Sequence, residues 1–546
     1  MSQSLLIERT PDACENPLLI RSILDAGVRK APAQEILYAD YGRYTYAELN
    51  RRVAQLANLL ASVGVVPGQT VAVMDWDSNR YLEAFFAVPM MGAVLHTVNV
   101  RLSPEQILYT INHAEDDVIL INSEFLPLLE AVADKIETAK TFILLSDDGT
   151  TLPTGAKWAG EYEALLARQP DQFDWPALDE NTRATTFYTS GTTGLPKGVY
   201  FSHRQLVLHT LAGTNTMAGE GQGRLNDKDV YMPITPMFHV HAWGIPYMAT
   251  LLGIKQVYPG RYVPERLLGL FVKNKVTFSH CVPTIIQMLL SAPAAEKVDL
   301  SGWKVIIGGS ALAPALAQKG LERGIDIFTG YGMSETCPLV TLALLTPELQ
   351  QASAEEQVTY RCRAGRPVML AEVQLWDADG KPQPQDGKSQ GEVVLRTPWL
   401  TQGYFKDPDN SKKLWEGGWL HTGDIGVIDE LGYLKITDRI KDVIKTGGEW
   451  VSSLDVEAIL LKHPAVAEAA VVGVEDAKWG ERPVALVVKA PGQTLDDDDL
   501  RDFAKAAAER GELSRYGIPD RVLFVDELPK TSVGKLDKKK MRAEMV

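Results

Sequence analysis

Cysteine is scarce in this chain. Four residues, Cys14, Cys281, Cys337 and Cys362, are scattered over 546 with no CxxC pair. That spacing argues against a disulfide framework or a zinc site and fits thiols kept reduced in the cytosol. A basic face is missing as well. Lys and Arg number 55 against 70 Asp and Glu, for a formal net charge of −15, a balance that argues against nucleic acid as a partner. The one basic run, KKK at Lys538 to Lys540, reads as a solvated tail. No long apolar run is uninterrupted. The most apolar window, YLEAFFAVPMMGAVLHTVNV from Tyr81, contains Glu83, Pro89 and His96. It reads as a buried helix and strand rather than a transmembrane segment, leaving only peripheral membrane contact open. The N-terminal MSQSLLIERTPDACENP lacks a basic region followed by an apolar stretch, so no signal peptide is expected and the expected location is cytoplasmic. Internal repeats are absent too. The only biased segment, DDDD at Asp496 to Asp499, precedes a helical pattern, where acids suit a helix N-terminus.

What is present is an α/β texture. TVAVMDW (Thr70 to Trp76) is β-branched and bounded by PGQ, which predicts a strand. NRYLEAFFAVPMMG then predicts a helix ending at glycine. The alternation continues with DDVILIN (strand), EFLPLLEAVADKI (helix) and TFILLS (strand), and later with KVTFSHCVP, TIIQMLLSA and WKVIIGG. Such alternation predicts layered, largely parallel sheets with ligands at the C-terminal ends of the strands. Around Gly391 the pattern changes to short strands and tight turns, a small antiparallel β subdomain. After Asp438 comes a compact mixed pattern: SLDVEAILLKHP, VAEAAVVGVED, RPVALVVKA, DLRDFAKAAAER and DRVLFVDELP. About a hundred residues suffice for a separate α+β domain. The expected organisation is a large N-terminal domain, residues 1–437, and a small mobile C-terminal domain, residues 438–546.

Several loops carry chemistry. YTSGTTGLPKG, Tyr188 to Gly198, follows a strand-like run. Its glycines let backbone N–H groups converge on an anion, its hydroxyls add donors and Lys197 adds charge. A polyphosphate is the expected ligand, although this is not a Walker A sequence, since no Gly-Lys-Ser/Thr triplet occurs there. TGYGMSET, Thr329 to Thr336, offers an aromatic face (Tyr331) for a base and an acid (Glu335) able to hold Mg²⁺ on a phosphate. IIGGSAL, Ile306 to Leu312, is a glycine pair at a strand end. WLHTGDIG places Asp424 in a tight turn, where a carboxylate accepts from two ribose hydroxyls. PKTSVGKLDK puts Lys535 on a glycine-flanked loop near the C-terminus.

YTSGTTGLPKG, GYGMSET, HTGD, DRIKDVIKTGGEW and PKTSVGKLD, in this order in one chain, resemble the AMP-forming adenylate-forming superfamily, and most closely its medium- and long-chain fatty acyl-CoA synthetases. The resemblance runs from YTYAELN near Tyr44 to Lys535. It implies an acid–thiol ligase of fatty acid metabolism with ATP, Mg²⁺ and coenzyme A. An acyl-adenylate forms with release of pyrophosphate, and CoA then displaces AMP. By the resemblance, Thr189, Ser190, Gly191, Thr192, Thr193, Gly194 and Lys197 cradle the β- and γ-phosphates, and Thr192 and Glu335 match the Mg²⁺ positions. Gly309, Ser310, Tyr331, Gly332, Met333 and Thr336 line the adenylate. Asp424 holds the ribose with Arg439 nearby, and Lys441, Lys445 and Trp450 contact the nucleotide. Lys535 bridges the carboxylate and the α-phosphate. Asp438 is the hinge about which the small domain turns, withdrawing Lys535 and presenting Gly447 and Gly448 to the CoA tunnel. In PMFHVHAWGIPY, His239 lies against the carboxylate end and Trp243 gates the acyl tunnel, and Gly308 is a further substrate-binding position. A homodimer is expected.

Other readings stay open on the sequence: a short acid such as 3-methylthiopropionate, a standalone adenylation module loading a carrier protein, a luciferase-like oxidation, or a non-catalytic nucleotide-binding scaffold. The last is disfavoured because Lys535 and Glu335 are both present.

Overall fold

The structure is a computed structural model that describes residues 7, 10–189, 195–219, 221–446, 449–531 and 535–544. Strands such as Thr70–Met74 and Asp116–Asn122 are apolar almost throughout and lack the period-two alternation of a one-sided sheet. Such strands need cover on both faces, which crossover helices supply. They form the centre of a seven-stranded sheet in the order Trp158–Glu161, Thr141–Leu145, Asp116–Asn122, Thr70–Met74, Val94–Thr97, Arg183–Thr189, Lys197–Ser202. All neighbours are parallel except the last pair, an antiparallel hairpin. A nine-stranded sheet has a parallel centre, Asp326–Gly332, Lys304–Ile307, Phe278–Cys281, Val230–Tyr231, Lys255–Tyr258 and Glu35–Tyr38, with antiparallel edges. The helix Asn79–Met90, buried at every residue, shares one continuous apolar core with both sheets. None of the helices among the described residues is long and apolar enough to cross a membrane.

The expected β subdomain is a five-stranded antiparallel sheet built on Glu372–Trp376, Gly391–Arg396, Trp419–Ile428 and Leu434–Arg439, with Trp415–Glu416 at its edge. Tyr331 and Met333 pack against its core. The next sheet begins at Ile444–Thr446 and pairs Val466–Asp476 with Gly480–Lys489 over a core of its own. The chain therefore leaves one sheet at Arg439 and enters the other five residues on. Asp438 stands at that exit, its carboxylate accepting from the Arg439 N–H at 2.7 Å and the Ser453 N–H at 2.6 Å.

The structure departs from the sequence reading in three places. EFLPLLEAVADKI is not one helix but a five-residue helix, Leu126–Glu130, between 3-10 turns at Ser123–Phe125 and Ala133–Lys135. Pro127 lacks an N–H and is tolerated only in a first helical turn, and the tighter turns still bury Phe125, Leu129, Val132 and Ile136. Asp424 lies not in a turn but inside the ten-residue strand Trp419–Ile428. There the pairing with Gly391–Arg396 skips register, and Gly423 takes φ +70°. A bulge of this kind re-aims a side chain out of the sheet. The KKK run is not wholly a solvated tail either, because Lys538 is buried. Its Nζ lies 2.7 Å from Glu457 and 2.6 Å from the Ser453 hydroxyl. Burial pushes the Glu457 carboxyl up, and the Lys538 ammonium opposes that rise.

Removing one partner of a buried ion pair strands the other, at about 3–5 kcal/mol. Lys538→Ala should therefore lower the thermal unfolding midpoint of the C-terminal unit by several degrees. Lys539→Ala, at an exposed position of the same run, should leave it unchanged. Calorimetry on the two variants separates these outcomes.

Candidate active site

The strand Arg183–Thr189 delivers Thr189 opposite Lys197, where the hairpin closes. Ser190, Gly191, Thr192, Thr193 and Gly194, between them, lie outside the described residues. The Lys197 ammonium sits over the Tyr404 ring, 4.7 Å from its centroid. The Tyr404 hydroxyl donates to Glu335 Oε1 at 2.7 Å, and the Glu335 carbonyl accepts from the Thr401 N–H at 3.0 Å. One buried carboxylate is thus tied, through one phenol, to the end of the glycine loop. A Mg²⁺ that arrives on phosphate oxygens takes only one or two protein ligands, and a buried carboxylate at this position fits that demand. Tyr404 carries no sequence motif of its own. Its role depends on a contact across 69 residues for which TQGYF carries no local signal.

Asp424, re-aimed by its bulge, accepts from the Tyr331 hydroxyl at 2.7 Å on one oxygen and faces Arg439 Nε at 3.2 Å on the other. Each carboxylate oxygen has a second lone pair, so ribose hydroxyls still find acceptors here. Glu392 braces the bulge, accepting from the Gly423 N–H at 3.0 Å; it too carries no sequence motif of its own. Tyr331, Gly332 and Met333 are partly exposed beside this group. Gly332 is required on steric grounds, since a Cβ there would stand 1.7 Å from the Pro338 carbonyl oxygen. Thr336 behaves differently. It is fully buried, and its hydroxyl is engaged by the backbone of Met333 and Pro338, so it shapes the turn from beneath. Ser310 is exposed next to Gly309.

Lys535 reaches this cluster from the C-terminal unit. Its Cε comes within 3.4 Å of where a Cβ on Gly309 would stand. Burial, with Arg439 adding repulsion, pulls its ammonium down to about 8, while Asp424 and Glu335 oppose the fall. His239 lies on the same side. Burial first, then Lys535 and Arg101, push its imidazole down to about 3, so it is neutral at pH 7. Lys441 is also pulled down, by burial and by Arg439. Lys445 lies on the strand Ile444–Thr446, its N–H donating to Glu481 at 2.8 Å. Trp450 is its backbone partner in register; the Trp450 side chain, and Gly447 and Gly448, lie outside the described part of the chain.

The segment after His239 has an unusual backbone. Val240, His241, Ala242 and Trp243 have φ of +48°, +53°, +47° and +59°, and Gly244 follows at +72°. A left-handed turn costs L-residues about 1–2 kcal/mol each, and a β-branched valine is the worst placed of them. Neighbouring contacts hold it. Asp77 accepts from the Met237 N–H at 2.8 Å, and the Thr97 hydroxyl donates to the Phe238 carbonyl at 2.9 Å. His241 is enclosed by Phe85, Phe187 and Tyr247. Trp243 lies on Gly308, where a Cβ would come within 2.9 Å of its Cη2. No pattern in FHVHAWG announces this conformation.

Comparison with known proteins extends the picture over the whole chain. Residues 24–405 match the model of the AMP-binding enzyme family, and residues 455–535 match that of the AMP-binding enzyme C-terminal domain. A long-chain-fatty-acid–CoA ligase of Thermus thermophilus is 40% identical over 524 residues, spanning 94% of this chain and 93% of that protein. A 3-methylmercaptopropionyl-CoA ligase of Ruegeria lacuscaerulensis is 38% identical, spanning 97% of each. The crystal structure of an anthranilate CoA ligase with anthranoyl-AMP superposes with a TM-score of 0.84 at 25% identity, covering 97% of this chain and 98% of that one. A family model matched over most of the length, with relatives aligned from end to end, means that this chain belongs to the AMP-binding enzyme family.

Proposed function

We propose that this protein is an ATP-dependent acyl-CoA synthetase that activates a fatty acid. In the first step a carboxylate oxygen of the acid attacks the α-phosphorus of ATP and the bond to pyrophosphate breaks. In the second the CoA sulfur attacks the acyl carbon, its thiol proton is lost and AMP leaves. The observation that carries this reading is the approach of Lys535, from the C-terminal unit, to Gly309 of the N-terminal unit, where the charges of Asp424 and Glu335 favour its ammonium. Two anions must approach each other in the first step, and an ammonium held where their charges meet stabilises that approach.

In this reading the loop from Thr189 to Lys197 takes the β- and γ-phosphates. Glu335 and Thr192 would hold Mg²⁺, whose charge offsets that of the triphosphate. Gly309, Ser310, Tyr331, Gly332 and Met333 line the adenylate over the Thr336 turn. Asp424 takes the ribose, and Arg439, Lys441, Lys445 and Trp450 border the nucleotide. Neutral His239 faces the carboxylate and Trp243 gates the chain. Asp438 is the hinge, so that residues 438–546 turn between the two steps, withdrawing Lys535 and bringing Gly447 and Gly448 to the CoA thiol. We assign a reducing, cytoplasmic setting, which suits the unpaired thiols of Cys14, Cys281, Cys337 and Cys362, and a homodimer. A short acid is the second reading, favoured by Trp243, which fills the space against Gly308.

Incubation with ATP, Mg²⁺, CoA and straight-chain acids from short to long, with pyrophosphate, AMP and thioester all measured, tests the proposal. Failure to form a thioester from any acid rejects it. Lys535→Ala should slow pyrophosphate release by about 10²–10³-fold, while thioester formation from supplied acyl-adenylate survives; equal loss in both steps would refute the hinge account. An amine is charged below its pKa, so in the nucleotide-free enzyme Lys535 is mostly ammonium at pH 7 and mostly neutral at pH 9. The kcat/KM for adenylation should fall above pH about 8, and Lys535→Arg should move that limb upward, since guanidinium keeps its charge. Trp243→Ala should change chain-length preference more than the KM for ATP, and an unchanged substrate profile would remove Trp243 from the gate.

A further inference from the structure

Behind Trp243 lies a polar group that an alkyl-binding pocket does not need. His280, on the strand Phe278–Cys281, is fully buried. Its Nε2 lies 2.8 Å from the Tyr231 hydroxyl, and its Nδ1 has no hydrogen-bond partner among the described residues. Burial pushes the imidazole down to about 3, so it is neutral. A neutral imidazole has one N–H and one bare nitrogen. If Nε2 carried the proton, the Tyr231 O–H and Nδ1 would both be left unpaired. With the phenol donating to Nε2, the Nδ1–H is the single unsatisfied group, and that is the lower-cost tautomer.

The position of this donor links it to the acyl site. His280 pairs in register with Ile306, two residues before Gly308, which puts it about 7 Å below that glycine at the usual strand rise. The Trp243 ring spans the interval. It touches Gly308 at one end and lies 5.0 Å from the His280 ring at the other. A chain that displaces the indole therefore runs from Gly309 and Lys535 toward His280. A saturated alkyl chain would leave the Nδ1–H buried and unpaired, whereas an oxygen at the right depth would accept from it.

Resting on the acyl-CoA synthetase reading above, we propose that His280 is a specificity-determining residue that donates through Nδ1 to an acceptor in the chain of the acid, so that the preferred substrates are acids bearing a chain oxygen (an ether, keto or hydroxy group) rather than plain alkanoates.

The test uses pairs of acids that differ only by exchange of one CH₂ for an ether oxygen, the oxygen being moved stepwise along the chain. Each pair is assayed for kcat/KM of thioester formation on the full-length enzyme with ATP, Mg²⁺ and CoA. At one position the oxa acid should be favoured by about tenfold, the worth of one restored hydrogen bond. The double variant His280→Leu/Tyr231→Phe removes both polar partners together, and it should bring that ratio to one or below while still turning over the alkanoate. A wild-type enzyme that favours the alkanoate, or neither acid, at every position overturns the proposal without recourse to any variant. So does a double variant that keeps the preference. Absence of thioester from every acid of either kind is the separate result that removes the synthetase reading itself.

Discussion

A carboxylate and a triphosphate repel each other, and chemistry between them requires positive charge at the point of approach. The arrangement of this protein follows from that requirement. Strand-end loops of the N-terminal sheets carry Thr189, Lys197 and Gly309, and Lys535 comes from the other unit to stand beside Gly309. Its ammonium is held in a contest between burial and Arg439, which disfavour the charge, and Asp424 and Glu335, which favour it. The carboxylates are in turn anchored, Asp424 by Tyr331 and Arg439, Glu335 by Tyr404. A point charge on a long stem, coming from the other unit, is what the proposed withdrawal of Lys535 between the two steps requires.

The side proposed to take the acid is built on a different principle. Its lining is held in a costly backbone conformation, the left-handed turn Val240–Trp243, and such strain persists only where surrounding packing over-determines it. Here the packing is aromatic enclosure of His241, the Asp77 and Thr97 hydrogen bonds before the turn, and the seat of Trp243 on a residue without a Cβ. The side proposed for the nucleotide is held through hydrogen bonds and the side proposed for the acid through shape. That division suits a site that must treat one nucleotide uniformly and choose among acids.

Much of this was legible before any coordinates. Alternating apolar runs predicted the parallel sheets, because buried strands must be apolar on both faces, and the glycine-rich segments fell at strand ends, where α/β folds bind ligands. The ordered motifs pointed to the family. Local pattern was ambiguous elsewhere: Pro127 sets the start of the short helix Leu126–Glu130, and a bulge stands where a turn was expected at Asp424.

Residue types and their order along the chain determined the fold class, the family and the candidate groups, since these depend on period, propensity and short spacings that a linear string records. Tertiary structure alone decided which groups meet. The Tyr404–Glu335 bond, the burial of Lys538 on Glu457, the left-handed turn Val240–Trp243 and the Nδ1 of His280, which has no partner among the described residues, depend on packing with residues far apart in the chain. Their energies come from desolvation and packing against distant neighbours, and a local stretch of sequence does not carry that information.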